Sequence, residues 1–246
     1  MKNKSFNLLL FIIILCSNHL FGQRIYTSNR IISSVDVMLG GDMSFRLLSV
    51  DSADPEVLQQ QANRDYLEKH RISTRFGINY NHGISNNLIL KAGLRIANPG
   101  FTIGSVTGFD VNAPINDVQK IFESNGTEYH YKYQIVALPI GFRYVLSKTV
   151  CEPYIEVTAS PHFYRKTVVE ERPYDGETQQ YTITEDIKRT YFMGNLAFGG
   201  DFMISKRVSG YTQLVARYQL DRLRVHDLRE KMIGLGLEAG VRCYLR

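Results

Sequence analysis

Eight runs of about ten residues, between Val35 and Arg246, alternate apolar side chains with polar, charged or glycine residues. Because side chains on a strand point to opposite faces with period two, each run predicts a ribbon with one apolar and one polar face. In the first run the apolar positions are Val35, Val37, Leu39, Met43, Phe45 and Leu47. Eight such ribbons predict an all-β fold, an eight-stranded antiparallel up-and-down barrel.

The connections between the ribbons alternate between short and long. The short ones lie near residues 82–87, 146–151 and 205–209, and the long ones near 48–70, 98–130, 166–188 and 221–230. Outer-membrane barrels have brief periplasmic turns and longer extracellular loops. The order of the connections therefore predicts that both chain termini are periplasmic.

Alternation alone does not say which face is inside, because a soluble lipocalin-type barrel shows the same pattern with its apolar residues inward. Glycines favour a polar interior. They occupy the polar phase at Gly40, Gly77, Gly93, Gly141, Gly199, Gly234, Gly236 and Gly240. Glycine weakens a strand and serves no steric need on a surface facing water, whereas a narrow lumen crowded with arginines needs the space. We therefore expect lipid outside the barrel.

The N-terminus predicts export. Lys2 and Lys4 precede an apolar stretch over 8–15, which is too short to cross a bilayer as a helix. The pattern predicts a signal peptide over 1–22, followed by a single barrel domain over 23–246 with no internal linker. Mean hydropathy is only −0.18, as expected when every second strand residue meets lipid. The dispersed basic residues imply no nucleic-acid partner.

Charged residues on the polar phase predict the content of the lumen. They are Asp36, Asp42, Arg46, Arg75, Lys91, Arg95, Arg143, Glu156, Asp201, Arg217, Glu238 and Arg242. An eight-stranded barrel leaves an interior just wide enough for side chains. We therefore expect these mixed charges to pair and plug the lumen as a structural network, with a proton or ion path as the alternative.

Residues at equal distances from the centre of a short turn are expected to lie opposite each other on the two strands, and this reflection predicts individual neighbours. It sets Arg143 opposite Glu156, which is the best single ion pair. It also sets Arg75 opposite Arg95, and two like charges there require a carboxylate, for which Asp42 is the candidate.

The long connections carry their own patterns. Helix-like spacing at 54–70 and at 114–124 predicts two short surface helices. Turn residues at 174–177, between β-rich flanks at 167–172 and 180–184, predict a hairpin that extends two strands above the membrane.

Signals for catalysis are poor. The histidines are scattered singly, without metal-ligand spacing, and no nucleophile elbow or phosphate-binding loop occurs. The chain is therefore not expected to be an enzyme, and no catalytic, cofactor or metal site is predicted. Cys151 and Cys243 fall on strands three apart, which predicts two thiols rather than a disulfide.

Three stretches carry a family resemblance: Phe21-Gly22-Gln23 at the end of the signal, Leu-Pro-Ile-Gly-Phe-Arg-Tyr at 138–144 with Glu-Pro-Tyr-Ile at 152–155, and the glycine-alternating finish from Ile233. In them the chain resembles the outer-membrane β-barrel family common in Bacteroidetes, small porin-like proteins related in architecture to OmpA and OmpX. Some relatives of this size, the PorT-like proteins, assist type IX secretion and gliding.

This resemblance and the patterns together give three expectations of function. The first is a small outer-membrane barrel, with lipid and the barrel-assembly machinery as partners, whose loops at 48–70, 98–130 and 166–188 contact a further protein. Simple tolerance of insertions explains such loops equally well. The second is an accessory subunit of a secretion or gliding machine, and the third is a narrow selective pore.

Overall fold

The computed structural model describes residues 33–50, 58, 68–106, 127–148, 151–173, 176–183, 188–221 and 228–245. The predicted signal peptide and the predicted helix over 114–124 lie outside these residues. Of the helix predicted over 54–70, Leu58 is helical. Its last three residues, 68–70, instead open a strand, because they pair with residues 101–103.

Within the described ranges, the regular structure apart from Leu58 is β. The strands are β1 Ser33–Val50, β2 Glu68–Gly83, β3 Leu88–Ala97, β4 Gly100–Val106, β5 Thr127–Ala137, β6 Ile140–Val145, β7 Cys151–Arg172, β8 Gln179–Ile183, β9 Thr190–Ser205, β10 Val208–Gln219 and β11 Leu228–Tyr244. They form one antiparallel up-and-down sheet. β1 pairs with β2 and with the last strand, β11, and the other pairings lead from β2 round to β11 without a break, so the sheet closes on itself as a barrel.

The structure has eleven strands where the alternation predicts eight. Asn98-Pro99 separates β3 from β4, and Leu138-Pro139 separates β5 from β6. Proline has no N–H to donate, so it interrupts a ladder of backbone hydrogen bonds. The third additional strand is β8, which pairs with β7 and, within the described residues, with no other strand.

The short turns are confirmed, whereas the long connections are shorter than predicted. β4 fills residues 100–106 and β5 begins at Thr127, both inside the predicted loop over 98–130. The predicted hairpin is also confirmed: β7 continues to Arg172, and Glu171 pairs with Gln179. We call residues 167–172 and 179–183 the hairpin extension.

The predicted phase of the ribbons is confirmed. Along β10 the inward positions are buried and the outward positions are exposed, in strict alternation from Tyr211 to Leu220. Outward apolar side chains reach high exposure, for example 71 % for Ile72 and 61 % for Leu237. Polar and charged side chains fill much of the inside, and an apolar cluster fills the rest. Across the part of the chain with described structure, no helix is long and apolar enough to cross a membrane.

The two cysteines also follow the prediction. Cys151 lies opposite Phe202 and Cys243 lies opposite Val208, on strands separated by β9 and β10. Both side chains are exposed, and no disulfide joins them.

Candidate functional site

The lumen holds three groups of side chains. The turn-side network consists of Asp36, Lys91, Arg143, Glu156, Asp201 and Arg242. The central network consists of Asp42, Arg75, Arg95, Arg217 and Glu238. The loop-side cluster consists of Phe101, Tyr133, Ile135, Tyr191, Met193 and Met232. Every member of the three groups is buried, with a relative exposure of 4 % or less.

The turn-side network is built around Glu156. Lys91 Nζ donates to Glu156 Oε1 at 2.8 Å, and Arg143 donates to Oε2 from Nη2 at 2.8 Å and from Nε at 3.0 Å. Arg143 and Glu156 are opposite each other in β6 and β7, so the pair predicted by turn reflection is confirmed. Arg143 also donates to Asp201 at 3.3 Å, and its guanidinium stacks on the Tyr154 ring at 3.9 Å.

Asp201 and Asp36 complete this network. Arg242 Nη1 donates to Asp201 Oδ2 at 2.5 Å, and Arg242 Nη2 lies 3.6 Å from Asp36 Oδ2. Asp36 also accepts hydrogen bonds from Asn79 Nδ2 at 2.5 Å, Asn81 Nδ2 at 2.7 Å and Tyr211 Oη at 3.1 Å. The three carboxylates and three cations of the turn-side network therefore balance in charge.

The central network crosses the lumen from β2 to β11. Asp42 accepts hydrogen bonds from Arg75 Nε and Arg217 Nη1, and Arg217 Nη2 also donates to Glu238. Arg95 faces the same Glu238 carboxylate at 3.6 Å. Asp42 is thus the carboxylate that the sequence required beside Arg75.

The predicted register between Arg75 and Arg95 is wrong. Arg75 lies opposite Ala97, and Arg95 lies opposite Gly77. The amides of Ile84 and Ser85 both donate to the Leu88 carbonyl, which shifts the turn by one residue and the register by two. The two guanidiniums therefore do not face each other directly.

Glycine makes room for this arrangement. A Cβ at Gly77 would lie 2.8 Å from Arg95 Cγ, and a Cβ at Gly40 would lie 2.7 Å from Glu238 Cγ. Both contacts are too close for carbon atoms, so these strands pass beside the long charged side chains only because no side chain is present.

Arg46, the last of the predicted lumen charges, belongs to neither network. It pairs with Glu68, and its guanidinium lies 3.8 Å from the centre of the Phe101 ring. Glu68 falls in the predicted loop over 48–70, so the sequence did not identify it.

Sequence reasoning also missed the loop-side cluster. Phe101 stacks on Tyr131 with ring centres 4.7 Å apart, and Tyr133 meets Tyr164 edge to face at 6.3 Å. Phe101 lies within the predicted loop over 98–130, and Tyr131 and Tyr133 follow directly after it. A signal was present, because Tyr129, Tyr131, Tyr133 and Ile135 alternate with polar residues.

His162 lines a small cavity together with Arg75 and Arg217 of the central network and Tyr191 of the loop-side cluster. Its Nε2 lies 2.9 Å from Ser160 Oγ, and its Nδ1 lies 3.4 Å from Tyr191 Oη. In the described ranges no three His, Cys, Asp or Glu side chains are grouped so that they could hold a metal ion.

Outside the lumen, Glu170 links the hairpin extension to β5. It pairs with Lys132, and Arg172 Nε donates to it at 2.6 Å. These hydrogen bonds, first that from Lys132, lower the pKa of Glu170 to about 2. The carboxylate is therefore charged over the whole physiological range.

No protein-family model and no curated protein sequence matches the chain. Solved structures do resemble it: Neisserial surface protein A (12 % identity, 86 % of this chain and 96 % of that chain, TM-score 0.48), the outer membrane protein OprG from Pseudomonas aeruginosa (8 %, 91 % and 100 %, TM-score 0.48), and Ail, the attachment invasion locus protein of Yersinia pestis (13 %, 85 % and 98 %, TM-score 0.37). With TM-scores below 0.5 these likenesses add no argument about function, which has to come from the barrel's own geometry.

Proposed function

We propose that this chain is a small integral outer-membrane β-barrel whose lumen is plugged by the two ion networks and the loop-side cluster. It acts through its extracellular loops in surface contact, or as a structural component of the membrane. It is a binding or structural protein rather than an enzyme. Both termini are periplasmic in this proposal, because the short turns lie at the same end of the barrel as the termini.

One observation carries the proposal: the barrel's polarity is inverted. Its outward strand positions are apolar and exposed, including Leu39, Leu94, Ile140, Phe198, Leu214 and Leu235. Soluble monomers rarely expose contiguous apolar patches larger than a few hundred square ångströms. Lipid is the solvent for which such an exterior is suited, and a closed barrel is one of the two structures whose backbone can cross it.

The proposal that the lumen is plugged depends on the size of the barrel. β3 and β4 pair with the same two neighbouring ribbons, and so do β5 and β6, while β8 continues the ribbon of β9. Counted in this way, the eleven strands act as eight ribbons. An eight-ribbon barrel is filled by its own side chains, which favours a structural network over a proton path.

The hairpin extension supports a role in surface contact. In the hairpin extension β7 continues eight residues beyond Tyr164, Glu170 links it to Lys132 of β5, and the outer strand β8 is exposed from Gln179 to Thr182. A protein partner at the loops near 48–70, 98–130 and 166–188 is part of the proposal.

The same extension would suit an accessory subunit of a PorT-like secretion or gliding machine. Purification of the native protein from solubilised membranes would then recover the other subunits of the machine as stoichiometric partners.

Tryptophan fluorescence tests the membrane assignment, because the chain contains no tryptophan of its own. Phe198→Trp places a reporter on the outward face of β9, where the native ring is 56 % exposed. In vesicles whose acyl chains carry bromine, we expect strong quenching of this reporter.

Tyr181→Trp is the matched control, because Tyr181 is similarly exposed, at 42 %, but lies on β8 in the hairpin extension. The fluorescence of this Trp should not be quenched by the brominated acyl chains, and it should be quenched by aqueous iodide. Quenching of the Phe198→Trp reporter by iodide and not by bromine would overturn the assignment.

A further inference from the structure

The charges of the two lumen networks do not balance. Together they contain six cations and five carboxylates: Arg75, Lys91, Arg95, Arg143, Arg217 and Arg242 against Asp36, Asp42, Glu156, Asp201 and Glu238. The turn-side network is neutral. The single excess positive charge lies in the central network, even with His162 uncharged.

The same network contains buried N–H groups without partners. Arg217 Nε, and Nε and Nη2 of Arg95, make no hydrogen bond, although both side chains are only 3 % exposed. Burying a charged group is costly unless its charge is compensated and its donors are satisfied. A neutral acceptor would satisfy the donors but leave the charge uncompensated.

A small cavity adjoins the Arg217 side chain. It lies between the central network and the loop-side cluster, and Ser44, Arg75, His162 and Arg217 contribute its polar lining. Tyr191, Met193 and Met232 of the loop-side cluster cover it on the other side. The cavity has a volume of about 10 Å³, which is space for one atom the size of a water molecule.

We infer that this cavity binds one monovalent monatomic anion of the halide class, held between the guanidiniums of Arg75 and Arg217. One such anion neutralises the excess charge and accepts from the unpartnered Arg217 Nε. The cavity's size excludes sulfate and phosphate, whose four oxygens need several times this space. The ligand is therefore structural, and it completes the plug instead of passing through it.

Crystals of the full barrel grown or soaked in bromide test the inference directly. We expect one anomalous difference peak inside the lumen, in contact with Arg75 and Arg217. Density for a water molecule there, without an anomalous signal, would overturn the proposal.

Thermal unfolding of the refolded barrel in detergent provides a second readout. At constant ionic strength, replacing gluconate by bromide should raise the unfolding midpoint saturably, by roughly 5 °C, and sulfate should not. An unfolding midpoint that is the same in the three salts would contradict the site.

Ser44→Asp supplies the missing negative charge from the protein itself, since the Ser44 side chain is buried and lines the cavity. In gluconate this variant should match the wild type in saturating bromide, and its dependence on bromide should disappear. Ser44→Asn, which is nearly isosteric with aspartate but neutral, should keep that dependence or lose stability. If Ser44→Asp responds to bromide as the wild type does, the proposal fails.

Discussion

The two ends of the lumen are filled in different ways. Toward the short turns, charged side chains form networks in which each carboxylate has at least two partners, as Glu156 has in Lys91 and Arg143. Toward the long loops, Phe101, Tyr133 and their neighbours form an apolar cluster that resembles a conventional core. An ion pair requires a particular partner, whereas apolar packing accepts many arrangements. The charged pairs of the turn side therefore fix the strand register, and the apolar cluster of the loop side fills the other end of the lumen.

The largest effect is expected from breaking the turn-side network. Arg143→Met leaves Glu156 and Asp201 each with one cation fewer in a fully buried site. Removing one partner of a buried pair costs about 4 kcal/mol of unfolding free energy, which urea unfolding of the refolded barrel measures. Arg165→Met, at an exposed position of β7, is the control and should change stability by less than about 0.5 kcal/mol. Equal effects of the two variants would refute the network's importance.

A somewhat smaller effect is expected on the loop side. Phe101→Ala removes the stacking on Tyr131 and the contact with Arg46, and should cost about 3 kcal/mol in the same assay. Phe198→Ala deletes the same ring from the outward face, where lipid or detergent fills the space, and should cost about 1 kcal/mol or less. A larger loss at Phe198 than at Phe101 would mean that the loop-side cluster is not a core.

Gly40 and Gly41 are adjacent but face opposite sides of β1. Adding one methyl group at each position therefore compares the lumen with the outside of the barrel. Gly40→Ala would place its Cβ 2.7 Å from Glu238 Cγ and 3.0 Å from the Leu237 carbonyl oxygen, and should cost about 2 kcal/mol. Gly41→Ala meets nothing nearer than 3.9 Å and should be neutral or slightly stabilising. If both variants unfold at the same urea concentration, glycine is not needed for space in the lumen.

The smallest expected effect concerns the hairpin extension. Because Lys132 and Arg172 lower the pKa of Glu170 to about 2, the interaction stabilises the extension above the ordinary glutamate range. That stability is lost as the pH falls from there through about 2. A carbon-detected NMR titration of the Glu170 carboxyl should find its midpoint near 2, and Lys132→Met should raise it toward the ordinary value. A wild-type midpoint at the ordinary glutamate value would contradict the contact.

The sequence predicted those features that depend on alternation. The phase of the ribbons, the short turns and the pair of Arg143 with Glu156 follow from period two and from symmetric reflection about a turn. The hairpin follows from its turn residues and β-rich flanks. The Arg75 register was missed because the hydrogen bonds of a turn, here to the Leu88 carbonyl, set its centre, and composition does not reveal them.

The loop-side cluster follows the same rule only in part. Tyr191 and Met193 are apolar on the inward phase, as are Tyr133 and Ile135. On β9 the outward Phe192, between Tyr191 and Met193, is apolar too, so the alternation is lost there. On β5 the alternation is present, but residues up to 130 were assigned to a loop. Pro139 likewise divides a ribbon that the pattern presents as continuous, and beyond Pro99 the chain resumes as β4 where a loop was predicted.

The central claim is that the lumen is a packed core rather than a channel, and conductance tests it most directly. Full barrel reconstituted in a planar lipid bilayer should insert without producing current steps at any applied voltage, while Trp fluorescence of the Phe198→Trp variant verifies that it has entered the lipid. Reproducible unitary steps from the wild type would contradict the account and favour a selective pore.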